Sequence, residues 1–316
     1  MGFPVKYRYR IANLYQDFKE DYFVSYVLSC CSMADMSAAY YKERNIEWIP
    51  FHYVIDGVSH LDDQSVPIKS FYDAMRNGAM TSTAQISTGE FIEYFTSFLE
   101  KGLDVLHINL STGLSGVYNA ACIARDDLVS KYPDRKLIVV DSLAASSGYG
   151  LVMDTLADMR DAGKSIDELA AWIEEHKLEM RHWFFSTDLT FFIRGGRVTK
   201  TAGFFGSMLH ICPLLDVDGQ GKLQPREKLR GKKAVIRRIV EKMELTAANG
   251  LDYDGKCFIS QSDCMDDARA VADLIEERFK KLNGKVVISD IGTGIGSHTG
   301  PGTVALFFWG KSRKGE

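Results

Sequence analysis

The chain is short of several things at once. Its six cysteines (Cys30, Cys31, Cys122, Cys212, Cys257 and Cys264) form no C-x-x-C pair and stand beside no histidine at zinc-finger spacing. That scatter speaks against a disulfide scaffold or a zinc or other metal site, and it is the usage of reduced thiols in a cytoplasmic protein. Charge of one sign is not in excess either: 38 Lys and Arg face 42 Asp and Glu, a formal net charge of −4. Such a balance offers no global attraction to nucleic acid or to an anionic membrane. No apolar run approaches the length of a membrane span. The basic, aromatic start, MGFPVKYRYRIANLYQDFKEDY, lacks the continuous apolar core of a signal peptide, and Gly2 has no hydroxyl at the position myristoylation requires. Neither secretion nor stable membrane insertion is expected. There is no internal repeat and no low-complexity linker.

What is present is an ordinary globular composition, 46% hydrophobic and 25% charged, over 316 residues. That length exceeds one ordinary core and suggests two domains. Residues 1–20 read as an added arm. Over 21–185 strands alternate with helices: FVSYVL, then IEWIPFHYVI as one strand, a hydroxyl-rich loop TSTAQIST, a helix opened at Gly89, and the strand LIVV followed by a helix from Leu151. The expected fold class is α/β, a doubly wound and mainly parallel sheet. Residues 186–316 read as α+β, with a hairpin at ICPLLDV-DGQG-KLQPREKL and a basic helix GKKAVIRRIVEKM. Ser165 and Glu168 have capping-box spacing.

One stretch, Asp104 to Leu128, reads as an apolar strand, a Ser/Thr/Gly loop and a helix whose stripe is Val117, Ala121, Ala124 and Leu128. Hydroxyls and glycines at the start of a helix can surround a carboxylate or phosphate, because its first N–H groups lack partners. Most such turns bind nothing, so a plain capped turn is the competing reading. Other candidates are weak singly. The glycine loop Asp290–Thr303 leads into the strand TVALFFW, so the helix that a dinucleotide fingerprint requires is not expected. RGGR at Arg194–Arg197 is a surface turn or an oxyanion contact, and His298 is an incidental turn residue or a functional one. Phe91, Phe95, Phe98, Phe191, Phe192, Phe204 and Phe205 are core residues unless some line a cavity.

In order, however, TAQISTGEF (83–91), NLSTGLSGVYNAA (109–121), VVDSLAASSGYG (139–150), FFIRGGRV (191–198), LLDVDGQGKLQPREKLRGKKA (214–234) and SHTGPGTVALFF (297–308) resemble the DegV family of fatty-acid-binding proteins. The resemblance spans about Phe23 to Phe308. It implies one long-chain fatty acid held between or beneath an α/β and an α+β domain, with no cofactor and no catalytic residue. The family's carboxylate-binding threonine falls on Thr83 and its L-S-G serine on Ser115, followed by Gly116; Ser32 and Thr299 are supporting positions. In relatives that serve fatty acid kinase, the G-G-R arginine and the H-T-G-P-G histidine border the carboxylate entrance, and these positions are Arg197 and His298. The partner kinase would supply ATP and carry out the phosphoryl transfer.

The chain departs from the family pattern at Cys31, Ala84, Ile86 and Val117, where the family has aspartate, serine, proline and threonine. A more apolar head-group region is the expected consequence. Two other functions remain open: an acyl- or phosphoryl-processing enzyme with Ser115 as nucleophile and His298 as acid/base, which needs the two within hydrogen-bond reach, and a lipid sensor without a kinase partner.

Overall fold

The computed structural model describes residues 26–198 and 211–316. The N-terminal arm, the start of FVSYVL, and Phe204 and Phe205 lie outside the described residues. The first part of the chain runs β1 (Tyr26–Cys31), α1 (Ala38–Glu43), β2 (Glu47–Ile49), β3 (His52–Ile55), β4 (Val58–Leu61), α2 (Ile68–Arg76), β5 (Thr81–Ala84), α3 (Thr88–Leu99), β6 (Asp104–Asn109), α4 (Val117–Val129), β7 (Leu137–Asp141), α5 (Ser146–Asp161) and α6 (Ile166–His176). It continues with β8 (Met180–Ser186), α7 (Thr190–Arg194), β9 (Ile211–Val217), β10 (Leu223–Arg230), α8 (Lys232–Thr246), β11 (Phe258–Gln261), α9 (Met265–Arg278), β12 (Val287–Asp290), α10 (Thr293–Thr299) and β13 (Thr303–Trp309).

Three sheets result. A parallel sheet has the order β2-β1-β6-β7, a six-stranded sheet the order β10-β9-β8-β13-β11-β12, and a small antiparallel sheet the order β4-β3-β5. Within the six-stranded sheet β11 and β12 run parallel and the other pairs antiparallel. The fold is therefore mixed α/β with a parallel first sheet, as expected. Helices form where the apolar stripe and caps agree. α3 is closed by a Ser87/Glu90 capping box and α6 by a Ser165/Glu168 box. α3 buries Phe91, Phe95 and Phe98 completely, each worth roughly 1.5–3 kcal/mol of apolar transfer.

Four local expectations are corrected. IEWIPFHYVI is not one strand, because Pro50 has no N–H to give a ladder; β2 joins the parallel sheet and β3 the small one. TSTAQIST is not all loop, since β5 pairs with β3 from Thr81 to Ala84. Two β-branched threonines suit that pleat. α5 begins at Ser146 rather than Leu151, with Ser146 and Ser147 already buried in its first turn. Finally, the glycine loop contains a helix, α10. Its glycines are there for packing: a Cβ on Gly296 would lie 2.6 Å from the Tyr72 hydroxyl oxygen.

Candidate functional site

The loop after β6 is shaped by the six-stranded sheet. The β9–β10 turn sits on it, with Ser111 Oγ donating to Gly221 O at 2.9 Å. A Cβ on Gly113 would come 2.5 Å from that same carbonyl oxygen, so only glycine permits this approach. Pinned there, the chain turns into α4. Ser115 Oγ accepts a 3.3 Å bond from Val117 N at the start of the helix.

Ser115 lines a cavity of ≈ 90 Å³ whose walls come from the six-stranded sheet, from β5 of the small sheet, from loops that follow strands of the parallel sheet, and from α10. Thr83 on β5, Arg197 beyond α7, and His298 and Thr299 at the end of α10 line the same cavity. Five of the seven positions singled out in the sequence therefore meet in one place. The other two do not reach it. Gly116 is exposed at the start of α4. Ser32 accepts from Phe51 N at 3.0 Å and lines a neighbouring cleft.

The polar groups are only partly engaged. Thr83 Oγ1 and His298 Nε2 share a 2.7 Å hydrogen bond. His298 Nδ1 and Thr299 Oγ1 are buried with no partner among the described residues. Arg197 donates to main-chain carbonyls of Leu114 (3.3 Å) and Gly195. Burial, and then the Arg197 charge, lowers the His298 pKa to about 4, so the imidazole is neutral at physiological pH. Among the described lining residues there is one cationic side chain and no carboxylate. Such a site favours an anion, because neutral donors and a nearby guanidinium lower the cost of burying it. Ser115 and His298 spend their side-chain bonds elsewhere and share no direct hydrogen bond.

Most of the remaining wall is apolar: Met33, Leu114, Phe184, Phe192, Ile295 and Ala305 are part of it. The sequence leaves Phe192 open between core and cavity and does not mark the others, which look like any core position. Phe91, Phe95 and Phe98 are core. His182 and Ser146 also line the cavity; Ser146 lies within the motif at 139–150 but is not marked there as a site residue, and nothing in the sequence marks His182. Cys31, Ala84, Ile86 and Val117 are not lining residues; Cys31, Ile86 and Val117 are packed in the core instead. Their departures change packing behind the site, not the polarity of its wall. Among the described residues no helix is long and apolar enough to cross a membrane, and no His/Cys/Asp/Glu group could hold a metal ion.

The chain is similar over almost its whole length to known proteins. A DegV domain-containing protein of Clostridium perfringens is 36% identical over 291 residues, covering 92% of this chain and 99% of the relative. A Thermotoga maritima structure described as revealing fatty acid binding function is 27% identical with a TM-score of 0.75, covering 90% of this chain and 99% of that one. The fold is also that of the Streptococcus pneumoniae Fatty Acid Kinase (Fak) B3 protein loaded with linoleic acid, at 19% identity and a TM-score of 0.78, covering 90% and 99%. Residues 31–311 match the family described as "Uncharacterised protein, DegV family", and with that match and the Clostridium relative the chain belongs to the DegV family.

Proposed function

We propose that this protein binds one long-chain fatty acid, with the carboxylate at Thr83 and Ser115 and the acyl chain along the apolar wall. The observation that carries this reading is the convergence of Thr83, Ser115, Arg197, His298 and Thr299 on one cavity whose remaining wall is mainly apolar. The acyl chain supplies most of the binding: a dozen buried methylenes contribute about 10 kcal/mol before association costs of similar scale. The cavity of ≈ 90 Å³ is smaller than the roughly 300–1,000 Å³ of sites that enclose a whole ligand. Entry of a long chain therefore requires lining side chains to turn, and Met33, with its flexible thioether, is suited to that.

The protein presents the bound carboxylate to a fatty acid kinase, with Arg197 and His298 beside the reacting oxygens and no catalytic residue of its own. Support comes from the description of the S. pneumoniae neighbour and from the family motifs at Arg197 and His298. The six cysteines are free, in keeping with a cytoplasmic setting. Native mass spectrometry of the expressed protein is expected to show a co-purifying long-chain acid. Protein that is wholly empty, and that also fails to bind such acids in solution, overturns the reading. Addition of a fatty acid kinase and ATP tests the second half separately, by formation of acyl phosphate.

A further inference from the structure

Two arms of main chain hold the loop that carries Ser115, and one side chain outside the cavity joins them. The first arm is the β9–β10 turn, against which Ser111 and Gly113 are seated. Asp218 fixes its shape, Oδ1 accepting from Gln220 N at 2.8 Å and Lys222 N at 2.9 Å. The second arm is the end of β7 and the loop after it. Ser111 N donates to Ala144 O at 3.0 Å, and Thr112 Oγ1 to Asp141 Oδ2 at 2.6 Å. Asp141 Oδ1 also accepts from Leu143 N at 2.9 Å. Leu143 stands at φ +50°, a left-handed conformation that is costly for a non-glycine residue and persists only where its surroundings hold it.

Arg313 is where the two arms meet. Its side chain is fully buried. Nη1 donates to Asp218 O at 2.5 Å and Val217 O at 3.3 Å, and Nη2 to Leu143 O at 3.0 Å and Lys177 O at 3.3 Å. One cation therefore gathers carbonyls from the β9–β10 turn, the loop after β7 and the end of α6. A guanidinium suits this work, because its N–H groups diverge in a rigid, planar fork. Burial, and then the Arg181 charge, lower its pKa to about 10, so it stays cationic at neutral pH.

Fastening the last segment of the chain does not need that reach. Arg313 N donates to Leu178 O and Gly310 N to Glu179 O, both at 2.8 Å, and Arg181 pairs with Glu316 at 2.9 Å. Nor does Arg313 line the cavity. Three of the four carbonyls on its guanidinium belong instead to the two arms. Those arms converge on Ser111 and Thr112, and Ser111 O accepts from Ser115 N at 3.2 Å.

We propose that Arg313 is a positioning residue for the carboxylate site: by tying the β9–β10 turn to the loop after β7, it holds Ser111–Ser115 in the shape that presents Ser115 to the cavity. The effect on ligand affinity rests on the fatty acid reading; the effect on the loop does not.

The test uses two variants of the full chain. Arg313→Lys keeps the charge but cannot reach both arms at once, and Arg313→Met removes the donors. In calorimetry with oleic acid and methyl oleate, affinity for the acid is expected to fall about tenfold in Arg313→Met and by less in Arg313→Lys. Affinity for the ester should change by less than about twofold in either. Ser111→Ala cuts the first arm at its other end, so combined with Arg313→Lys it should cost less than the two single variants summed. In the unliganded protein, amide hydrogen exchange over 111–116 should quicken about tenfold in Arg313→Lys, with α9 unaffected. Equal losses for acid and ester, unchanged affinity for the acid, additive losses with Ser111→Ala, or unchanged exchange over 111–116 overturns the proposal. If the parent protein binds neither oleic acid nor its ester, the fatty acid reading falls and the exchange measurement alone decides. Should Arg313→Met fail to fold, Arg313→Lys carries every arm of the test.

Discussion

Thr83 Oγ1 and His298 Nε2 meet at 2.7 Å although 215 residues separate them in the chain. Because burial keeps the imidazole neutral and its Nδ1 has no partner, Nε2 is free to carry the proton and donate it to Thr83. The threonine hydrogen is then available to an oxyanion in the cavity.

That arrangement gives the first prediction. Thr83→Val and Ser115→Ala each remove one hydrogen bond to a bound carboxylate. Affinity for a long-chain acid is expected to fall by about tenfold per variant; Thr83→Val also leaves His298 Nε2 without its partner and should lower Tm, whereas Ser115→Ala should change it little. Calorimetry with the acid and with its methyl ester separates head-group from chain effects: the ester should bind both variants and the parent alike.

A second prediction concerns chain length. Ala305 on β13 is buried and faces the cavity, so Ala305→Leu fills space the acyl chain would use. Overpacking costs about 1–3 kcal/mol of stability. Binding of an eighteen-carbon acid is expected to weaken much more than that of a ten-carbon acid, measured by displacement of a fluorescent lipid.

Stability should depend on pH through the buried histidines. Burial, with Arg197 second, lowers His298 to about 4, and burial alone lowers His107 to about 3. In both cases the unfolded chain binds the proton first. Their contribution is fully present above the ordinary histidine pKa near 6.5 and is lost as pH falls toward the folded values. Between pH 7 and pH 5 each is expected to remove about 2 kcal/mol of stability in urea titrations. His298→Gln, which can still bond Thr83, should flatten the profile by about that much.

Asp154 anchors a link across the molecule. Its carboxylate, fully buried, meets Lys256 Nζ at 2.6 Å and Arg44 Nε at 3.3 Å. Asp158 also contacts both cations, so Asp154→Asn does not leave them unpaired. A loss of about 2–3 kcal/mol is expected in urea unfolding; a loss below about 0.5 kcal/mol would show that Asp158 suffices.

How far the sequence could be read followed how locally each element is determined. α4 was legible from the stripe Val117, Ala121, Ala124 and Leu128, and α6 from its capping box, because a period and a cap lie within a few residues. β5 and α10 were not: Thr81–Ala84 and Thr293–Thr299 are short, small-residue segments whose conformation is chosen by β3, Met33 and Tyr72 packed against them. The site divides the same way. Thr83, Ser115, Arg197 and His298 were found through the motifs of a family, and no spacing in the chain brings them together. The apolar wall was illegible, since Phe184 and Phe192 differ from Phe91 and Phe95 only in having a cavity on one side.

The seating of the β9–β10 turn on the Ser111–Gly113 loop, with Thr83 bonded to a histidine near the end of the chain, sets an order on synthesis. The first sheet can be complete while the loop before α4 still lacks the turn that presses on it. His298 can join Thr83 only once α10 has been made. A chain still emerging, or one truncated before α10, would have the parallel sheet and Thr83 without its histidine partner, so the contact that orients the threonine hydroxyl waits for the last part of the fold.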